Sequence, residues 1–173
     1  MKEKTKTIQN KGTDIIELIL DDHRELKRLI KILKDPKNDI GERYAAFGEF
    51  STLLIIHSRP EEQTLYHNMK IFSDTRIENL EGEIEHSIAE RLLQDAKYEE
   101  DEDLWSAKVK VLAEVVEHHI KKEETHFLPD YQKVSDLQFR IKLGNDFIIL
   151  KEKVSKTDPF LQDDEDFMGT HLQ

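Results

Sequence analysis

The sequence predicts an all-α protein: an up-down-up-down four-helix bundle with a short C-terminal helical extension. Only 6 Gly and 4 Pro occur in 173 residues, too few for the many turns of a β-sandwich. Charged residues make up 36% of the chain and hydrophobic residues 37%, which favours helices that expose one charged face. Apolar residues recur every three or four positions in four segments, which polar or acidic stretches separate.

The first helix is predicted to begin at Asp14, which can cap it together with Glu17 three residues later. Its apolar face carries residues 16, 19, 20, 26, 30 and 33. The segment 35–39, with Pro36, ends it.

The second helix is predicted to begin at Asp39 and to run to about Phe72, with apolar residues at 47, 50, 54, 65 and 69. Pro60 lies inside this helix and removes the hydrogen bond to the carbonyl group of Ile56. We therefore expect a kink there, which either displaces Glu61 or opens a channel beside it. Residues 73–75 separate this helix from the next.

Two further helices complete the predicted bundle. The apolar residues of the third are Ile77, Leu80, Ile84, Ile88, Leu92 and Leu93. It ends in the acidic run 99–103, and the fourth helix runs from about Leu104 to Leu128. Its inward residues are predicted to be Leu112, Val115, Val116 and Phe127. Pro129 is expected to stop or kink this helix.

The chain is expected to divide into three regions. Residues 1–12 are polar and predict a flexible N-terminal arm, and residues 13–131 hold the bundle. Residues 132–173 form a C-terminal extension, in which Phe147–Leu150 and Val154 predict a short fifth helix followed by an acidic tail. This extension lies on the bundle or offers a surface to a second copy of the chain or to a protein partner.

Charge and composition exclude several classes of protein. The net charge of -11 argues against nucleic-acid binding, which needs basic patches. Without Cys there is no disulfide, thiolate metal site or cysteine nucleophile. No apolar run approaches the roughly 20 residues of a membrane span, and the N-terminus lacks the apolar stretch of a signal peptide. We therefore expect a cytoplasmic protein without a membrane partner.

Histidines occupy positions in the apolar stripes where leucine would be expected. His23 fills the open step between residues 19 and 26 of the first helix. His57 and Glu61 fill two such steps in the second helix, and His119 and Glu123 fill two in the fourth. A His four residues before a Glu places both on one helix face, so two such motifs can hold a pair of metal ions with each Glu bridging both.

The third helix adds His86, which aligns with Gly82, Ala89 and Leu93 at the edge of its apolar face. Four imidazoles and two carboxylates inside one bundle need a common partner, because an unpartnered polar group in a core costs roughly 1–3 kcal/mol. A metal centre provides it, and imidazole with carboxylate suits Fe, Mn or Zn. The alternative is a metal-free bundle in which these histidines are hydrogen-bonded core residues.

The two motif segments also resemble each other. Residues 57–66 and 119–128 both follow the pattern H-x-x-x-E-E-x-x-apolar-apolar. With Asp22-His23 ahead of them and Glu85-His86 between them, they resemble the hemerythrin-like (HHE cation-binding) family over about residues 14–131.

This resemblance implies a non-haem di-iron centre with two iron ions, for which Mn or Zn are substitutes. It assigns the terminal ligands to His23, His57, His86 and His119, and the bridging carboxylates to Glu61 and Glu123. Hemerythrin proper has a further third-helix histidine where this chain has Glu90. Glu90 is a candidate ligand; the alternatives are that it leaves the place to water or points outward in a salt bridge.

The implied function is to bind, sense or react with a small diatomic molecule or peroxide, namely O2, NO or H2O2. This describes a metal- and ligand-binding protein more than a dedicated enzyme. The alternative is an iron-sensing or regulatory module whose C-terminal tail responds to metal occupancy without catalysis.

Other polar residues near the motifs have weaker patterns. His67 and His118 are rotated off the inward faces, which favours a surface position. His126 lies near the inward side of the fourth helix but past the motif. Glu62 and Glu124, the second Glu of each pair, are expected at the surface or in contact with the ligands.

Overall fold

A computed structural model of the chain describes residues 12–70 and 76–162. These residues are almost entirely helical, with no strand in either range. The α-helices are α1 (Ile15–Lys34), α2 (Ile40–Glu61), α3 (His67–Met69), α4 (Arg76–Lys97), α5 (Glu102–Lys122), α6 (Leu128–Val134), α7 (Leu137–Thr157) and α8 (Pro159–Gln162). Two π-helical turns, Glu62–Tyr66 and Glu123–Phe127, follow α2 and α5. The prediction of an all-α protein is confirmed.

Aspartate side chains begin four of the long helices. Asp14 and Asp39 accept hydrogen bonds from backbone N–H groups in the first turns of α1 and α2. Asp101 and Asp136 do the same for α5 and α7. The first N–H groups of a helix have no partner within it, so each side chain stabilises its helix by about 1 kcal/mol. The predicted starts at Asp14 and Asp39 are confirmed, and α1 ends at Lys34 as expected.

The candidate ligands separate the apolar core into two clusters. α1 packs against α2, α5 and α7, and α4 packs against α5. The larger cluster includes Leu26, Leu54, Ala89 and Val116. The other includes Ile19, Leu65 and Phe127. Along α1, α2 and α5 the candidate histidines stand between members of these two clusters, so apolar side chains lie on both sides of them.

A π-helical turn lies at nearly the same place in both motif segments, with an offset of one residue. The first begins directly after Glu61, and the second begins at Glu123 itself. A π turn inserts an extra residue per turn and is frequent at functional sites. The likeness of the two segments in sequence therefore extends to their local structure.

α4 buries a different face from the one that its apolar residues predict. Its buried residues are Asn79, Gly82, His86, Ala89, Leu93, Ala96 and Lys97. The side chains of Ile77 and Ile84 are 73% and 59% exposed, and Leu80 and Ile88 are exposed as well. His86 therefore lies within the buried face, where sequence analysis placed it at the edge. Small residues on this face decide the orientation, since Gly82 leaves the room that the ring of Tyr66 occupies.

Neither proline near the motifs ends its helix. Pro60 lies inside α2, and helical structure continues through the first π turn and α3 to Met69. Pro129 lies in the first turn of α6, where a missing N–H group is tolerated. Helical structure continues to Val134, so the expected stop at Pro129 is wrong.

The C-terminal extension contains a longer helix than predicted. α7 has 21 residues and packs against α1 and α2. Its buried residues are Arg140, Leu143, Gly144, Phe147 and Val154. Because this set is narrow and includes an arginine and a glycine, the sequence shows little apolar periodicity here. Gly144 lies against the backbone of Thr13, where a Cβ atom would collide.

Several predictions concern residues 1–11, 71–75 and 163–173, which lie outside the described residues. They are the flexible arm, the segment between the second and third predicted helices and the acidic tail. None of the helices in the described ranges is long and apolar enough to cross a membrane.

Candidate metal centre

Four buried histidines from four different helices point toward one another. His23 of α1, His57 of α2, His86 of α4 and His119 of α5 are 0, 1, 3 and 5% exposed. The rings of His23 and His57 are 5.1 Å apart between centroids, and those of His86 and His119 are 4.4 Å apart. The rings therefore form two pairs inside the helical core.

A buried glutamate completes each pair. His23, His57 and Glu123 offer ligand atoms that all lie within 4.8 Å of one another, and so do Glu61, His86 and His119. Each group contains two imidazoles and one carboxylate, a set that suits iron with open coordination positions. The spacing of both groups fits a metal ion at the centre of each.

Both glutamates also reach across to the other group. Glu61 Oε2 lies 3.5 Å from His57 Nε2 and 3.7 Å from His86 Nε2. Glu123 Oε2 lies 3.1 Å from His23 Nε2, and its Oε1 atom lies 3.5 Å from His119 Nε2. Each carboxylate thus lies close to histidines of both groups.

Several of these inward atoms are buried without a hydrogen bond from any described residue. They are the Nε2 atoms of His23 and His57, both oxygens of Glu61 and Oε2 of Glu123. A buried polar atom without a partner costs roughly 1–3 kcal/mol, and a charged one costs more. A cation among these atoms satisfies them together, so the residues fit a metal centre of nitrogen and oxygen ligands.

The outward nitrogen of every histidine donates to a carboxylate. His23 Nδ1 lies 3.2 Å from Glu124 Oε1, and His86 Nδ1 lies 3.0 Å from Glu62 Oε1. Glu62 and Glu124 were expected either at the surface or in contact with the ligands. The structure shows that both contact a candidate histidine.

Asp22 and Glu85, which precede candidate histidines and had no predicted role of their own, complete this pattern. His57 Nδ1 lies 3.3 Å from Asp22 Oδ2, and His119 Nδ1 lies 2.8 Å from Glu85 Oε2. A carboxylate on the outer nitrogen fixes the ring and directs the lone pair of Nε2 inward. The signal in the sequence was that each acid immediately precedes a candidate histidine.

Lysines neutralise three of these four outer carboxylates. Lys27 contacts Glu124 at 2.7 Å, and Lys122 contacts Glu85 at 2.9 Å. Lys151 of α7 lies 2.6 Å from Asp22. α7 thereby joins the surroundings of the centre, which the predicted short fifth helix did not anticipate.

Burial and neighbouring charge set the protonation of the site. Burial lowers the pKa of His57 to about 4 although Asp22 raises it, so the ring is neutral and Nε2 is free to bind a cation. Burial raises the pKa of Glu61, and the negative charge of Glu123 raises it further. Burial also raises the pKa of Glu123, but the positive charges of His119 and His23 outweigh it, and the net pKa is lowered.

Tyr66 contacts one of the candidate ligands. Its hydroxyl group donates to Glu123 Oε1 at 2.5 Å. Its ring stacks on Phe127 at 4.9 Å and is buried. A Cβ atom on Gly82 would collide with the hydroxyl group and ring of Tyr66, so the glycine provides the space for this contact.

Glu90 lies apart from the other six candidate ligands. Its Oε1 atom accepts a hydrogen bond from Arg59 Nε at 3.0 Å, and its side chain is 30% exposed. Among the described residues it belongs to neither ligand group. Of the three alternatives for Glu90, the structure shows the salt bridge with Arg59. Arg59 also pairs with Asp158, which ties the end of α7 to the same place.

The remaining motif residues lie as follows. His67, His118 and His126 are exposed, in agreement with a surface position for the first two. Glu61 follows Pro60 in the helix but is 0% exposed and lies among the histidines, so the proline does not displace it.

Two cavities adjoin the centre. One of about 250 Å³ opens between α4 and the second π turn, and His119 and Glu123 line it. The other, of about 10 Å³, is lined by His57, His86 and His119 together with apolar side chains, and has room for about one water molecule. The larger cavity links the candidate ligands to the surface.

A comparison with protein families agrees with this geometry. The family model for the hemerythrin HHE cation-binding domain matches residues 14–131. No curated protein and no solved structure matches the chain significantly. The matched region covers most of the chain and contains all six residues of the two ligand groups. The chain therefore belongs to the hemerythrin HHE cation-binding domain family.

Proposed function

We propose that this protein holds two non-haem iron ions between α1, α2, α4 and α5, arranged as an up-down-up-down bundle. His23, His57 and Glu123 would hold one ion, and Glu61, His86 and His119 the other. The centre binds, senses or reacts with O2, NO or H2O2. Mn or Zn are alternative occupants.

The observation that carries this proposal is the pair of buried two-histidine, one-carboxylate groups. Five of their inward atoms lack hydrogen bonds from the described residues, namely Nε2 of His23 and of His57, both oxygens of Glu61 and Oε2 of Glu123, whereas all four outward nitrogens are satisfied. A core of ordinary hydrogen-bonded histidines would satisfy both sides. The metal-free bundle is therefore the poorer account of this arrangement.

Iron would supply the redox and ligand-binding chemistry. The chain contributes orientation, because the outer carboxylates Asp22, Glu62, Glu85 and Glu124 hold the rings and raise the basicity of their inward nitrogens. With two histidines and at most two glutamates from the described residues, each ion would keep positions for an exogenous molecule. The two apolar clusters exclude water on both sides of the ligand groups. Tyr66 offers a hydroxyl group beside Glu123.

The test is anaerobic loading with ferrous iron, followed by metal analysis and visible spectra in the presence of O2, H2O2 or NO. We expect two equivalents of iron per chain and a spectral change with at least one of the three molecules. His119→Leu should reduce the bound iron, while His118→Leu, which changes an exposed neighbour, should not.

Two results would contradict the proposal in different ways. Absence of tightly bound iron would exclude the centre itself. Two bound equivalents without a spectral response to any of the three molecules would exclude the reactive function and leave a sensory or structural role for the metal.

A specific contact favours the alternative of an iron-responsive module. Lys151 of α7 holds Asp22, which holds His57, so a change at His57 reaches the C-terminal extension through two contacts. Bound iron would then slow proteolysis of residues 137–162 in the full chain, and Lys151→Met would reduce this difference. Equal cleavage rates with and without iron would count against this module.

A further inference from the structure

The cavity of about 250 Å³ has a buried inner end and an exposed outer end. Tyr66, His119 and Glu123 line it and are at most 5% exposed. Glu78, Glu81 and His126 line it and are exposed. The cavity therefore leads from solvent to two of the candidate ligands.

At its inner end the cavity reaches the buried carboxylate group of Glu123. Glu123 is 2% exposed, and its Oε2 atom is buried without a hydrogen bond from the described residues. A water molecule occupies about 30 Å³ of liquid, so a divalent ion with six waters needs about 180 Å³. The cavity is thus large enough for a hydrated ion, far more than a diatomic molecule requires.

The charge of the lining favours a cation. Four carboxylates line the cavity, from Glu78, Glu81, Glu85 and Glu123. Lys122 is the lysine of this lining, and it lies 3.0 Å from Glu81 and 2.9 Å from Glu85. A cleft with an excess of one charge raises the local concentration of opposite ions and their association rate.

Described side chains cover other sides of the centre. Phe147 packs edge-on against His57 with 6.5 Å between ring centroids, and Lys151 covers Asp22. Lys27 closes the approach beside Glu124. The second cavity holds about 10 Å³, too little for a hydrated ion.

We propose that the larger cavity is the loading port of the centre, through which a hydrated divalent cation passes from Glu78 and Glu81 at its mouth to Glu123 at its inner end. This inference rests on the proposed metal centre but concerns the rate of loading, which the ligand set alone does not determine. The ion exchanges waters for carboxylate oxygens along the way and then reaches His119.

The experiment measures how fast the metal-free full-length chain takes up ferrous iron under nitrogen, with unbound iron trapped at timed intervals by a chromogenic chelator. The test variant is Glu78→Gln with Glu81→Gln, which removes two charges from the mouth and leaves the candidate ligands intact. Its control is Glu114→Gln with Glu117→Gln, which removes two exposed charges of α5 that do not line the cavity.

We expect the mouth variant to load at least about threefold more slowly, as steering by charge implies, while it still reaches the wild-type number of iron ions. The control should load at the wild-type rate. Raising the ionic strength from about 0.01 M to about 1 M shortens the Debye length from roughly 30 Å to roughly 3 Å. This should slow the wild type more than the mouth variant.

Equal loading rates for the mouth variant and the wild type would overturn the port while leaving the metal centre in place. A change in the final amount of bound iron would overturn it too, because Glu78 and Glu81 would then be part of the binding site. A wild type that binds no iron would overturn both proposals. Thermal unfolding of each variant, followed by circular dichroism, verifies that the folds compared are equivalent.

Discussion

Asp22 accepts a hydrogen bond from His57 Nδ1 at 3.3 Å, although the two residues belong to different helices and lie 35 positions apart. Asp22 stands next to His23 in the sequence, yet it orients the histidine of α2. Glu85 repeats this relationship, since it precedes His86 and orients His119 of α5. No helix holds its own histidine in place, so the centre depends on the assembled helices.

The first prediction concerns this orienting role. Asp22→Asn keeps the size of the side chain but removes the charge that faces both His57 and Lys151. We expect the metal affinity to fall by roughly 10-fold, the lower end of the effect of such partners. Asp21→Asn is the matched control, because Asp21 is exposed and pairs with Arg24. Metal titration under anaerobic conditions measures both, and equal affinities would remove Asp22 from the centre.

The second prediction separates two glutamates that sequence analysis grouped together. Glu61→Gln should lose at least one of two iron equivalents, because its oxygens lie between both pairs of histidines. Glu90→Gln should retain both, since Glu90 faces Arg59 at the surface. The lost ion pair should change the free energy of unfolding by less than about 1 kcal/mol, as is usual for a partly exposed pair. Iron loss in Glu90→Gln would restore Glu90 as a ligand.

A third prediction tests the space that Gly82 provides for Tyr66. In Gly82→Ala the added methyl group would collide with the phenol, and such overpacking typically costs about 1–3 kcal/mol. The higher helix propensity of alanine offsets at most about 1 kcal/mol of this. Chemical denaturation should therefore show a lower free energy of unfolding, and a variant as stable as the wild type would contradict this packing. Tyr66→Phe, which removes only the hydroxyl group, should cost about 1 kcal/mol.

The buried face of α4 leads to the fourth prediction. Leu93→Ala should lower the free energy of unfolding by about 2–5 kcal/mol, because Leu93 is 0% exposed. Ile84→Ala should change it by less than about 0.5 kcal/mol, because Ile84 is 59% exposed. If both substitutions had equal effects, α4 would instead bury the face that its apolar periodicity predicts.

Local signals in the sequence predicted much of this structure. Asp14 and Asp39 begin their helices as expected, because capping involves residues only two or three positions apart. The stripes of α1 and α2 placed His23, His57 and Glu61 inward, and all three are buried. The resemblance to the hemerythrin HHE family covered the same residues, 14–131, that the family model matches.

Other features could not be predicted locally. The apolar residues of α4 pointed to the face with Ile77 and Ile84, but the face with Gly82 and His86 is buried. Apolar periodicity identifies the helix face with the most apolar residues. It does not indicate where a neighbouring helix requires a small residue or a histidine. The length of α7 was underestimated because its buried face includes Arg140 and Gly144, which interrupt the apolar periodicity.

Helical periodicity is a property of the local chain, so it predicted the helical class and the inward positions of His23, His57 and His119. The two H-x-x-x-E-E segments carried the resemblance to the family. Which carboxylate orients which histidine, and that Glu90 faces Arg59, follow from the packing of the helices. The outer carboxylates and their histidines are 24 to 101 positions apart. Such pairs are set by how whole helices pack, and no local pattern records that packing.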